Sequence, residues 1–269
     1  KYYDNFKKTK KNIAVLMIDS LDIDLKSHEK AIDEALNLLE QQTYVQRNGE
    51  TYEYLTDDEK DIEEAIKTTD YDPGQLTVLF NEIIFDEIIK DTRIKYLDNK
   101  QEYEFSRKVD GVIFSREKEL TIEVMTPESK DYFNEGYCPG QSMGNNALVI
   151  FKLPADGLLG KDAKTLIKTD KYIKQNQSTT NKDGVKRILF DKAQQNIERR
   201  RQIISSLKNQ LADATVYLNG TVHTVSNTTD GRNKVTDTFQ VIIKMAYSKL
   251  KLLGTNSFDE QQSKNIIRT

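Results

Sequence analysis

The sequence has a single cysteine, Cys138, and only two histidines, His28 and His223, far apart along the chain. One cysteine excludes an internal disulfide framework and a cysteine-cluster zinc site. Two distant histidines form no HExxH motif and leave a histidine-based triad few members. No apolar run approaches the ~20 residues that a bilayer-spanning helix needs. The opening residues, KYYDNFKKTKKN, are charged where a secretory signal carries an apolar segment. An excess of positive charge is also missing: 40 Lys and Arg against 43 Asp and Glu leave a net charge of −3. That excludes a globally basic nucleic-acid binder, so any phosphate-binding surface must be a local patch. Together these absences point to a soluble protein of the reducing cytoplasm with no membrane partner. The chain begins without Met, which we read as an interior piece of a longer polypeptide.

What is present describes an α+β protein. A length of 269 residues allows one large or two smaller domains. Hydrophobic residues at 37% are few and charged residues at 31% are many, yet 13 Tyr and 10 Phe with abundant Ile and Leu argue for a core. An apolar run at 13–18 suggests a first helix. Asp24 or Ser27 can cap a second over about 26–42, with Ala31, Ile32, Ala35, Leu36 and Leu39 on one face. Two alternating stretches, 43–47 and 51–55, flank Asn48-Gly49, the two-residue signal for a type I′ hairpin. Helices followed at once by a hairpin describe a winged helix-turn-helix, here over 1–70, with 43–55 as the wing.

The pattern continues with Thr56-Asp57-Asp58-Glu59, a capping box for a helix over about 57–69. Asp72-Pro73 opens an apolar helix to about residue 91, read as a connecting element over 71–93. A mixed α+β module over 94–269 follows, with long helices and short antiparallel strands. Its strands are expected at 102–107, 111–115, 120–125 and 147–153. Between the last two lies a long loop, 126–146, with a helical turn near 129–133. Helices are expected at 161–175, 185–212 and 232–253, the second with Leu189, Ala193, Ile197, Ile204, Leu207 and Leu211 as its core-facing positions, the last capped by Asp230 and stopped at Gly254. Polar residues 175–184 have no reason to be ordered alone. A second Asn-Gly pair, Asn219-Gly220, marks another hairpin.

Catalytic motifs are incomplete. Gly157-Leu158-Leu159-Gly160-Lys161 has two residues between its glycines where a Walker A loop has four, and Asp162 would repel a phosphate; a helix start explains it better. Asp110 with Glu123-Val124-Met125 supplies the two acids of a PD-(D/E)xK nuclease but places Met125 where the lysine belongs. Cys138, in a Gly/Pro loop, has no identifiable base, and both histidines suit surface or packing roles. The acidic residues of 57–64 spread around a helix and read as a solvated face.

The most informative charge is basic. Residues 185–208 carry Lys186, Arg187, Lys192, Arg199, Arg200, Arg201 and Lys208 against only Asp191 and Glu198. With Arg47 of the wing they form a candidate surface for nucleic acid or an acidic partner. Successive residues step about 100° around a helix, so the three consecutive arginines cannot all face one partner. Satisfaction by acidic helices of the same chain is the competing reading. For the winged helix, Glu29, Asp33, Glu34 and Glu40 on the second helix disfavour direct contact with DNA.

Three segments carry a family resemblance: YLTDDEKDIEEAIK (54–67) with IIFDEIIKDTRIKY (83–96), LVIFKLPADGLL (148–159) with LIKTDKYIKQN (166–176), and KAQQNIERRRQIISSLKNQLADATVYLNG (192–220). They resemble the large P-loop ATPase of BREX phage-defence systems, the BrxC or PglY type, over about two thirds of the chain. The resemblance implies an interior fragment after the ATPase core, with other BREX proteins as partners. ATP and Mg are implied only for the full-length protein, whose Walker motifs match nothing here. The expectation is a non-catalytic module for nucleic-acid binding or protein assembly. Its rivals are a purely structural or self-associating segment and, less favoured, a nuclease or a Cys138 hydrolase.

Overall fold

The computed structural model describes residues 6–20, 22–178, 182–225 and 230–252. In chain order its elements are α1 (Lys10–Leu16), α2 (Leu25–Gln41), β1 (Val45–Asn48), β2 (Thr51–Tyr54), α3 (Asp57–Thr68) and α4 (Pro73–Asn81). Next come β3 (Arg93–Lys95), β4 (Glu102–Val109), β5 (Val112–Ile113), β6 (Leu120–Met125), α5 (Tyr137–Ser142) and β7 (Leu148–Lys152). The last are α6 (Leu159–Asn176), α7 (Asp183–Asp213), β8 (Thr215–Leu218), β9 (Thr221–His223) and α8 (Gly231–Ala246). Gly254 and residues 179–181 of the polar stretch lie outside the described residues. None of the described helices is long and apolar enough to cross a membrane.

Two compact units emerge, and neither is continuous in sequence. The first draws on Lys1–Leu76 and Leu158–Ser205, the second on Thr77–Gly157 and Ser206–Thr269. This differs from the division expected at residues 70 and 93. The connecting helix is divided as well. It is α-helical over α4, then π-helical over Glu82–Ile89, and ends at Lys90 with φ +64°. The wider winding lets Ile83, Ile84, Phe85, Ile88 and Ile89 all be buried, so the segment is core of the second unit.

In the first unit Thr9 caps α1 through its hydroxyl oxygen, and Asp24 caps α2. The two helices run antiparallel: Lys10 pairs with Asp33 at 2.7 Å, and His28 Nε2 donates to the Ala14 carbonyl at 2.8 Å. The hairpin forms, but its turn lies one residue later than Asn48-Gly49 suggests. Asn48 pairs with Thr51, so Gly49 and Glu50 are central and only Gly49 takes positive φ, at +60°. That is the type II′ requirement. Arg47 Nη1 donates to the Gly49 carbonyl at 2.9 Å and Thr51 Oγ1 to the Asn48 carbonyl at 2.9 Å, which holds this register. Glu59 returns to the Thr56 amide at 2.8 Å, completing the start of α3. Ile62 and Ile66 of α3, Leu36 of α2 and Ala163 and Leu166 of α6 are buried in this unit.

The second unit is built on a sheet with the order β3-β4-β6-β7-β8-β9, with β5 added to β4 beside β3. The expectation of antiparallel strands is corrected here: β4, β6 and β7 are parallel, and the remaining pairs are antiparallel. Parallel strands need cover on both faces. One face, with Phe105, Ile122, Val124 and Phe151, meets α8 and the π-helical segment; Phe105 stacks edge-on against Phe239 at 5.3 Å. On the other face Met125, Leu148 and Ile150 cluster with Tyr132 and Cys138. At the β3 edge the Gln240 amide accepts from Leu97 N at 2.9 Å and donates to the Lys95 carbonyl at 3.0 Å, occupying groups another strand would use. The second hairpin follows its sequence signal: Asn219 and Gly220 are the central pair, with φ +45° and +80°, a type I′ turn. Loop 126–146 contains α5, a short helix that its Gly and Pro content concealed.

Candidate functional site

Seven of the eight basic candidates lie on α7, and the structure divides them. Lys192 is buried and reaches both Glu63 and Gln46 by ion pair and hydrogen bond. Arg199 is buried too; its Nη1 donates to Asn196 Oδ1 at 2.6 Å, while Asn196 Nδ2 donates to Asp170 at 2.7 Å and to the Leu166 carbonyl at 3.0 Å. Burial lowers the Arg199 pKa, and Glu63 and Asp162 counter that push. Arg47 turns from the hairpin to Asp162 in the first turn of α6, at 2.5 Å. Burial raises the Asp162 pKa, opposed by Arg47 and then Arg199. These three cations hold α3, α6, α7 and the hairpin together and are not available to a partner. Glu63 is correspondingly an exception to the solvated acidic face expected of α3.

The others face outward or nearly so. Lys186, Arg187 and Arg201 are exposed, and Arg200 is half-buried. Lys208 is exposed in the second unit, 3.8 Å from Asp230. Lys186 has Asp183 at 3.7 Å and Arg201 has Glu198 at 3.3 Å, surface pairs that hold little energy. At about 100° per residue, Lys186, Arg187 and Arg201 fall within roughly one quarter of the helix circumference. Phe190 and Ile197 share that quarter, 63% and 49% exposed. Charge alone did not reveal them, although their seven-residue spacing was visible; Ile197 read as a core position and is corrected to a surface one.

The other candidates make contacts within the chain. Lys161 Nζ donates to Glu40 at 2.8 Å, so the glycine-flanked loop is the start of α6. Cys138 is buried with its Sγ 3.6 Å from the Met125 sulfur, and burial raises the thiol pKa. The nuclease-like acids do come together. Asp110 takes φ +49° in a turn with Gly111, and its carboxylate accepts from the Thr126 amide at 2.7 Å and hydroxyl at 2.8 Å. Glu123, on the adjacent strand, is fully buried and has Lys108 Nζ at 2.9 Å. Cross-strand register thus supplies a lysine that the spacing along β6 does not. Glu123 has no exposed surface, however, and among the described residues no three His, Cys, Asp or Glu converge on a metal position.

Burial pushes the Asp110 pKa up to about 6, against the lowering effect of its bonds from Thr126. With the folded value above the unfolded one, its contribution to stability is full below about pH 4 and is lost as pH rises through about 6. An NMR titration of the Thr126 amide is expected to inflect near pH 6, and the inflection disappears in Asp110→Asn.

Residues 69–242 match the family model of the BREX ATP-binding protein BrxC, 4th domain with six-stranded β-sheet. The chain belongs to the BrxC family. Six strands along the principal path of the sheet agree with that description. Membership in the family implies a role in BREX phage defence. No solved structure matches the chain.

Proposed function

We propose that this BrxC-family chain is a non-catalytic assembly module, and that the exposed stripe of α7 binds an acidic, partly apolar surface of another BREX protein. The observation carrying the proposal is the position of Phe190 and Ile197 among Lys186, Arg187 and Arg201. A phosphate surface is neutralised by cations alone, whereas exposed apolar side chains among cations match the core and rim of a protein interface. Retention of Lys192, Arg199 and Arg47 inside the first unit weakens the nucleic-acid reading, because it removes three of the eight cations on which that reading stood.

We read α1, α2, β1 and β2 as a protein-contact version of the winged helix-turn-helix expected over 1–70. Exposed Glu29 and Glu34 stand beside Lys26 and Lys30 on α2, an unfavourable mixture against a phosphate wall. In this proposal ATP and Mg are used by the P-loop core of the full-length protein, this stretch binds neither, and the protein works in the cytoplasm. The test places Arg187→Glu with Arg201→Glu in full-length protein. Affinity for its BREX partner is expected to fall at least tenfold, with no duplex-DNA shift at low salt for either form. Unchanged affinity, or a salt-sensitive shift abolished by the pair, would contradict it.

A further inference from the structure

Exposed apolar side chains are common on the first unit. Of the five residues expected to face the core from α2, only Leu36 is buried; Ile32 is half-buried, and Ala31, Ala35 and Leu39 are exposed. Those of α7 differ, because they stand in line with cations. At about 100° and 1.5 Å per residue, Lys186, Phe190, Ile197 and Arg201 fall within about 60° of the circumference, over about 22 Å of helix. All four are exposed, Phe190 at 63% and Ile197 at 49%. The line reads cation, apolar, apolar, cation, at intervals of four, seven and four residues.

That spacing limits what can lie along it. The two apolar side chains stand about 10.5 Å apart along α7, which is the i, i+7 repeat of another helix. A strand presents side chains on one face every ~6.6 Å, and neither one nor two such steps match. The intervals are the same in both directions, so a helix of either polarity fits.

We infer, building on the assembly role proposed for this stripe, that its ligand is one amphipathic α-helix of the BREX partner, with two apolar residues seven apart and a carboxylate four residues outside each. The apolar pair lies on Phe190 and Ile197, and the carboxylates reach Lys186 and Arg201. Cations at both ends disfavour a second copy of α7, which would oppose like charges at each end whichever way it ran. Neighbouring acids do not cancel this. Asp183 lies one turn beyond Lys186 and is outweighed by Lys186 with Arg187, and Glu198 stands about 90° from the centre of the line. The pairs these acids make, 3.7 Å to Lys186 and 3.3 Å to Arg201, leave the cationic side chains 53% and 72% exposed, so an incoming carboxylate displaces them at small cost.

The test uses full-length protein and two synthetic helical peptides of one composition, each about 24 residues long. One carries Glu, Leu, Leu and Glu at the intervals of the α7 line. In the other the second leucine is moved two positions, about 160° off that face. Fluorescence anisotropy is expected to show the first binding at least tenfold more tightly. Replacing both of its glutamates by lysine is expected to abolish binding to the wild type and to restore it to Lys186→Glu with Arg201→Glu, a recovery that a folding defect would not give. Equal affinity for the two peptides, no binding of either, or no recovery on charge exchange would each overturn the inference. The assembly role stands or falls separately, on the affinity of the purified BREX partner for Arg187→Glu with Arg201→Glu.

Discussion

Glu63→Gln is expected to destabilise the first unit by about 3–5 kcal/mol, because it leaves the Lys192 ammonium buried without its carboxylate. Lys192 retains only 6% of its side-chain surface and Glu63 13%, so water cannot replace the lost partner. The buried Arg199 guanidinium loses the same nearby charge, the largest of those supporting its ionised form. The loss belongs to breaking the pair and does not measure what the pair contributes. Exchanging both members for apolar residues, Glu63→Leu with Lys192→Met, is expected to recover most of the stability. Native-state hydrogen exchange of α7 amides around Lys192 reads the first unit without averaging over the second. Protection that survives Glu63→Gln unchanged would show that solvent already compensates Lys192.

The second unit has its own sensitive point at Phe239. This ring is fully buried on α8, edge-on to Phe105, with Val235, Ile242 and Ile243 equally buried on the same helix. Phe239→Ala removes a large side chain from a site whose neighbours sit on a sheet and a helix, and an expected cost of about 3–5 kcal/mol follows. Exchange at β6 and β7 amides should rise accordingly. Phe133→Ala is the control: at 84% exposed, its removal should alter stability by no more than about 0.5 kcal/mol.

Local signals were the most legible part of the fold. Thr56 and Glu59 built the start of α3, Asp230 capped α8 through Arg232 N at 3.2 Å, and Asn219-Gly220 turned as its type requires. Each depends on residues a few positions apart. Asn48-Gly49 shows where that legibility ends, because a register held by Arg47 and Thr51 moved the turn by one residue. Sheet direction was not legible, since β4, β6 and β7 pair in parallel across intervening loops, and such pairing leaves little trace in any single strand. The return of α6 and α7 to the first unit was hidden for the same reason: it depends on contacts such as Lys192 with Glu63, 129 positions apart.

The candidate surface was half legible. A cation count located α7 but could not separate Lys192 and Arg199, which face Glu63 and Asn196, from Arg187 and Arg201, which face solvent. That distinction needs the neighbours of each helix face. Of the apolar members, Ile197 was expected inside because hydrophobic side chains at helical spacing usually are, and Phe190 was not singled out.

Phe190→Asp in full-length protein is the most direct test of an assembly role, since it leaves every cation of α7 in place. Titration calorimetry with the purified BREX partner should show binding reduced at least tenfold, while circular dichroism and the α7 exchange pattern stay as in the wild type. Partner binding of unaltered strength, with the fold intact, would contradict the role assigned to this helix.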